Sequence, residues 1–217
     1  MIELSLGGRG SRSVLAFGAH CDDVEIGAGA TLLRLAGSAV DLRVRVVVLS
    51  STPERAEETR SSIPSFLPGV QVDLEVHALR DGRLPAQWDQ AKDIVEAVAA
   101  TFEPDVVLAP HRRDAHQDHA TLAALVTTAF RDHLVLGYEI PKWDGDLSRA
   151  APTHYVALTD EQITRKCALL RKHYPSQLGH DWFIDETFRG LARLRGMECR
   201  ADYAEAFHVE KALLTLD

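Results

Sequence analysis

With 217 residues, 46% of them hydrophobic, the chain can bury one substantial core and is too short for two large domains. Its formal net charge of -8 argues against a general nucleic-acid binder, which needs a surplus of Lys and Arg on one face. Three widely spaced cysteines, Cys21, Cys167 and Cys199, form neither a disulfide framework nor a thiolate zinc site, and no apolar run has the length of a leader core or a membrane span, so a cytoplasmic location without membrane contact is expected.

Taken in chain order, Ser13 to Ala19 reads as a fully buried strand, and the small and apolar residues from Gly27 to Leu35 as a helix packed tightly on a sheet. Asp41 to Ser50 is a second strand, whose β-branched run Val44 to Leu49 suits a parallel strand covered on both faces. Pro53 to Ser62 follows as a helix with Glu54, Glu57 and Glu58 near its positive end. Val70 to Ala78 alternates apolar and polar residues, which suits an outer strand. Between Trp88 and Phe102 the apolar residues Ala91, Ile94, Val95, Val98 and Phe102 fall at helical spacing, and a strand follows at Asp105 to Ala109.

A helix from Ala120 to Phe130 and a strand from Leu134 to Tyr138 continue the alternation, which argues for a parallel sheet with right-handed crossovers. The last eighty residues or so are less regular: helices at Asp160 to Lys172 and Glu186 to Leu194, a polar loop at Pro175-Ser176-Gln177 and an apolar-leaning end at Tyr203 to Val209. No repeat or interdomain linker interrupts the chain, so one domain over 1–217 is expected.

Chemistry concentrates directly after two buried strands. The first carries Ala19-His20-Cys21-Asp22-Asp23, and the strand at Asp105 to Ala109 runs into Pro110-His111-Arg112-Arg113-Asp114-Ala115-His116-Gln117-Asp118-His119. In open α/β sheets ligands collect beyond the carboxyl ends of the strands. Titratable side chains there must be hydrogen-bonded, paired or bound to a cation. Two His and a carboxylate from separate strand ends make an N,N,O set suited to zinc or ferrous iron with positions left open. His20, Asp22 and Asp23 are too close in sequence for all three to point at one ion, so one carboxylate is free to accept a proton from water.

Plainer readings compete with these. A lone His after a strand is more often structural than a ligand, and it is the second His-Asp cluster that shifts the balance. Asp114 either positions its loop or touches substrate. Gly27-Ala28-Gly29-Ala30 lacks the GxGxxG spacing of a dinucleotide site and instead allows close packing of helix on sheet. Arg112-Arg113 reads as a solvated loop, and the remaining histidines as surface or core rings. Trp143 and Trp182 either stack on a sugar face or serve as core or interface residues.

The two clusters resemble the LmbE/PIG-L family of zinc-dependent N-acetylglucosaminyl deacetylases, which have a Rossmann-like α/β fold with helices on both faces of a mostly parallel sheet. The family's A-H-P-D-D-E motif corresponds to Ala19 to Val24, and its P-H-x-x-D-x-H-x-D-H motif is matched by Pro110 to His119 at every defined position. The resemblance implies that His20, Asp23 and His119 hold a metal, zinc or alternatively Fe2+ or another divalent ion. It implies Asp22 as general base for water activated at the metal, and His116 as a charged group that stabilises the oxyanion, oriented by Asp118. Arg55 falls where relatives place a substrate-contacting arginine, and Asp114 is carried as a second substrate-binding candidate. Ser176-Gln177 and Tyr203 to Phe207 are similar to the family's C-terminal segments. Cys21 replaces the usual proline and Val24 a common acid; Cys21 reads as a buried neutral thiol.

The implied substrate is a small molecule, an N-acetylglucosamine-type amino sugar or its conjugate, held by the loops around Arg55, Asp81 and the C-terminal third. Nucleic acid and membrane are not expected partners. Small enzymes of this kind often form symmetric homo-oligomers. The competing function is a catalytically idle sugar- or nucleotide-binding module of the same fold; a two-metal phosphoesterase would need more carboxylates.

Overall fold

The computed structural model describes residues 3–5, 10–38, 41–142, 145 and 151–213. Among these residues seven strands form one sheet: β1 (Ser11–Gly18), β2 (Asp41–Ser50), β3 (Gln71–Leu79), β4 (Val106–Pro110), β5 (Leu134–Tyr138), β6 (His154–Leu158) and β7 (Tyr203–His208), in the spatial order β3-β2-β1-β4-β5-β7-β6. The first five run parallel; β7 is antiparallel to β5, and β6 to β7. The mostly parallel α/β sheet thus matches the expectation, with an antiparallel margin. β6 was not legible in the sequence, because this five-residue edge strand is defined by its ladder to β7, some fifty residues later, and not by a pattern of its own.

Among the described residues six α-helices flank the sheet: α1 (Asp23–Ala36), α2 (Pro53–Phe66), α3 (Trp88–Thr101), α4 (Gln117–Ala129), α5 (Asp160–His173) and α6 (Asp185–Cys199). Alternate residues of a strand point to opposite faces, and β1 divides accordingly. Val14 and Ala16 join Val44, Val46 and Leu108 under α1, α2, α5 and α6, whereas Leu15 and Phe17 join Val47, Leu49 and Val107 under α3 and α4. Burial on both faces is why these strands read as continuous apolar runs.

The small residues of α1 have a steric cause. A Cβ on Gly27 would lie 2.1 Å from the Tyr138 ring, and one on Gly29 would lie 2.7 Å from Phe66. Tyr138 is itself fixed, donating from its hydroxyl to the carbonyl of Phe17 at 2.5 Å. A buried ion pair ties the C-terminal elements to the same helix. Glu205 of β7 accepts from the amides of Ala30 (3.0 Å) and Thr31 (2.7 Å), while Lys166 of α5 donates to Glu205 (2.7 Å) and to the carbonyl of Ile26 (2.6 Å). Ile26 and Ala30 stand four residues apart, so the pair occupies the hydrogen-bond ladder of α1 itself.

Two helix starts differ from the sequence reading and matter for the site. α1 begins at Asp23, not Gly27, and α4 at Gln117, not Ala120. Asp23 and His119 therefore sit in the first turns of their helices, at the end of the sheet where the strands β1 and β4 finish. The strand order reverses at β1 and β4, the point in an open sheet where a crevice forms. No helix among the described residues is long and apolar enough to cross a membrane.

Candidate metal centre and active site

The segments after β1 and β4 meet at that crevice. His20 Nδ1 lies 3.2 Å from His119 Nε2. The Asp23 carboxylate completes a triangle, with Oδ1 3.3 Å from His119 Nε2 and Oδ2 3.5 Å from His20 Nδ1. Asp23 is locked by the His20 amide, which donates to Oδ2 at 2.8 Å. Ligand atoms around a tetrahedral ion with bonds of about 2.0–2.1 Å are separated by about 3.3 Å; the two imidazole nitrogens stand at that spacing, Asp23 turns a different oxygen to each ring, and a nitrogen of His116 comes close enough to both rings to share an ion with them.

Electrostatics favour a cation at the same place. Burial pulls His119 down, but Asp23 and Asp114 outweigh it and hold the ring at about 9. His20 is likewise raised well above its ordinary value despite burial, through Asp23, Asp118 and Asp81. Burial pushes the Asp23 carboxylate up, and the two imidazoles override it and bring it well below the usual range.

Asp22 stands beside the triangle with a different environment. Burial raises it to about 7, against the pull of Arg55, whose guanidinium lies 3.0 Å from Oδ2. Arg55 is braced by Glu58 (3.2 Å) and donates to the carbonyl of Cys21 (3.2 Å). Glu58 in turn accepts from the amide and hydroxyl of Ser176, so the Ser176-Gln177 pair acts first as a brace. Cys21 is buried, and its thiol is pushed up to about 11, mainly by desolvation, which fits the neutral-thiol reading.

His116 caps α4: its Nδ1 accepts from the amide of Asp118 at 3.2 Å. The ring stacks on His119 with centroids 4.6 Å apart and meets His20 edge-on at 4.9 Å. The expected orientation of His116 by the Asp118 carboxylate is not among the contacts of the described residues. Nδ1 is an acceptor, and burial together with the neighbouring His119 and His20 lowers the ring's pKa. The Asp118 carboxylate points elsewhere, accepting from the amides of Gly82 (2.7 Å) and Leu84 (3.0 Å) and contacting His20 Nε2 at 3.2 Å. It orients His20.

Asp114, read from the sequence as either a loop-positioning or a substrate-binding residue, lies behind the His119 ring. Its buried carboxylate lies 3.1 Å from His119 Nδ1, accepts from the amide of His116 at 2.7 Å and pairs with Lys142 at 2.9 Å. Its Oδ2 thus stands on the Nδ1 side of the His119 ring, away from His20 and Asp23.

A cavity of about 440 Å³ opens over this centre, lined by His20, Asp22, Asp23, Arg55, His116 and His119 and walled by Lys142, Gln177 and Trp182. An adjoining compartment of about 360 Å³ shares His20, Arg55 and Asp81. Trp182 faces the site, stacked with His180 at 6.1 Å; Trp143 lies outside the described residues. Sequence reasoning missed Lys142 and His180. For Lys142 the available signal was topological, since it follows β5 at the same end of the sheet.

A family model described as PIG-L, GlcNAc-PI de-N-acetylase, matches residues 15–130, which span both clusters. A protein of Escherichia coli (strain K12), YaiS, described as an uncharacterized deacetylase, is 29% identical over 174 residues, covering 75% of this chain and 90% of its own. The N,N'-diacetylchitobiose deacetylase of Pyrococcus horikoshii shares the fold at TM-score 0.64 and 20% identity, over 92% of this chain and 84% of that one. So does the 4-carboxy-2-hydroxymuconate hydratase of Pseudomonas putida KT2440, at TM-score 0.71 and 17% identity, over 95% and 99%. At such identities the structural likeness shows the fold alone.

Proposed function

The chain belongs to the PIG-L family, and on that premise we propose that it is a divalent-metal-dependent N-deacetylase that hydrolyses the acetamide of an N-acetylglucosamine-type sugar or its conjugate. The observation that carries this reading is the triangle of His20 Nδ1, His119 Nε2 and the Asp23 carboxylate, 3.2 to 3.5 Å on a side, with the separate carboxylate of Asp22 beside it.

His20, Asp23 and His119 would hold the metal, zinc being the ion that best suits two imidazoles and a carboxylate. When bound, a divalent ion lowers the pKa of water and polarises a carbonyl oxygen. Asp22 takes the proton of the attacking water and delivers it to the departing amine. Arg55 opposes the burial that favours the neutral acid. His116 serves as a neutral donor: with Nδ1 accepting from Asp118 N–H, the ring proton sits on Nε2 and is available to the developing oxyanion. Trp182 offers an apolar face to the sugar ring.

The test is acetate release from N-acetylglucosamine glycosides by protein stripped of metal and then reloaded with zinc. Activity is expected only in the loaded form, and Asp22→Asn should lower it about a hundredfold or more. Saccharide binding without turnover at any metal loading would point to an idle binding module instead.

A further inference from the structure

Lys142 has no part in the two sequence motifs, yet it is buried against the centre they build. The chain brings it there through sheet register. Pro110 of β4 pairs with Tyr138 of β5, and the amide of His111 donates to the carbonyl of Tyr138 at 3.0 Å. Asp114 and Lys142 each follow four residues after those paired positions, and their side chains meet at 2.9 Å.

Asp114 is only 5% exposed in its side chain and serves two neighbours of the cavity. Oδ1 accepts from the His116 amide, and Oδ2 stands behind the His119 ring. Its approach to His119 Nδ1 is close, 3.1 Å, but oblique to the ring N–H. The ring alone therefore does not fix the carboxylate; its other partners must. The ammonium of Lys142 is the charged one among them, and a buried carboxylate needs such a partner.

We propose that Lys142 is a positioning residue for the metal centre: by anchoring Asp114 it aims His119 Nε2 at the point shared with His20 and Asp23. This rests on the metal-site reading of the preceding section. It differs from a direct contact with substrate, which its place in the cavity wall would otherwise suggest.

The experiment compares the full chain with Lys142→Met and Lys142→Arg. Zinc affinity of stripped protein is measured by competition with a chromophoric chelator, the urea midpoint of the metal-free forms is recorded, and kcat and KM are measured on an N-acetylglucosamine glycoside. Loss of a direct outer partner of a ligating histidine typically weakens metal binding about 10-fold to 100-fold, and Lys142 acts one contact further out, which points to the lower end, about 10-fold. That loss is expected for Lys142→Met, with recovery of most of the affinity in Lys142→Arg and a fall in kcat at saturating substrate larger than any rise in KM. If Lys142→Met unfolds, the arginine variant and its zinc affinity carry the test. Zinc bound equally by wild type and a folded Lys142→Met, or bound by neither, overturns the proposal. Weakened zinc binding in a protein that releases no acetate would leave the Lys142 assignment standing and remove the deacetylase reading.

Discussion

The Arg55 guanidinium lies 3.0 Å from the Asp22 carboxylate, and both residues line the cavity. The pairing sets two opposed effects against each other, burial favouring the neutral acid and Arg55 the carboxylate.

Replacing Arg55 by Met leaves burial unopposed. Asp22 should then hold its proton at neutral pH and fail as a base, so kcat/KM is expected to fall about 10-fold to 100-fold, with the acidic limb of the pH–rate profile moving to higher pH. Arg55→Lys, which keeps the charge but not the fork that also spans Glu58 and the Cys21 carbonyl, should recover only part of the loss. A profile of unchanged shape would show that Arg55 acts on substrate alone.

Asp118→Asn tests the reassignment of Asp118 from His116 to His20. The substitution removes the charge facing His20 and leaves one amide oxygen to serve the Gly82 and Leu84 amides, so a buried donor loses its acceptor. A loss of about 1–3 kcal/mol in urea unfolding of metal-free protein is expected. An unchanged midpoint would argue that Asp118 serves chemistry and not the loop.

Gly27→Ala should destabilise by about 1–3 kcal/mol, because its methyl group would overlap a Tyr138 ring held by the Phe17 carbonyl. The helix must shift to relieve the clash, and Asp23 shifts with its first turn, so metal binding should weaken along with thermal stability. Calorimetry with and without zinc reads both effects.

His208 offers a pH test away from the centre. Burial, with His111, Arg195 and Arg113 nearby, brings it to about 4, below its ordinary 6.5. Its ring lies against that of His111, tilted by 31°, with centroids 3.5 Å apart. A folded-state value below the unfolded one means that the unfolded chain takes up the proton first. Stability is therefore complete above about 6.5 and declines as pH falls toward 4. In His208→Gln the urea midpoint should fall less steeply over that interval; equal slopes would exclude the ring as a contributor.

The sequence by itself determined the parallel half of the sheet and the two clusters, for a local reason. A strand buried on both faces must be continuously apolar, as Val44 to Leu49 is, and a polar group directly beyond such a strand needs a partner. The small residues Gly27 and Gly29 were legible as close packing, but not what they pack on. Tertiary structure alone decided which group serves which. Asp118 sits two residues from His116, yet its carboxylate turns to His20 because the amides of Gly82 and Leu84 draw it there. Asp114 turns from the cavity to the back of His119, and Lys142 reaches it through the register of β4 on β5. The edge strand β6 and the Lys166–Glu205 pair belong to the same class. Each depends on contacts between residues far apart in sequence, whereas composition and periodicity report only on neighbours.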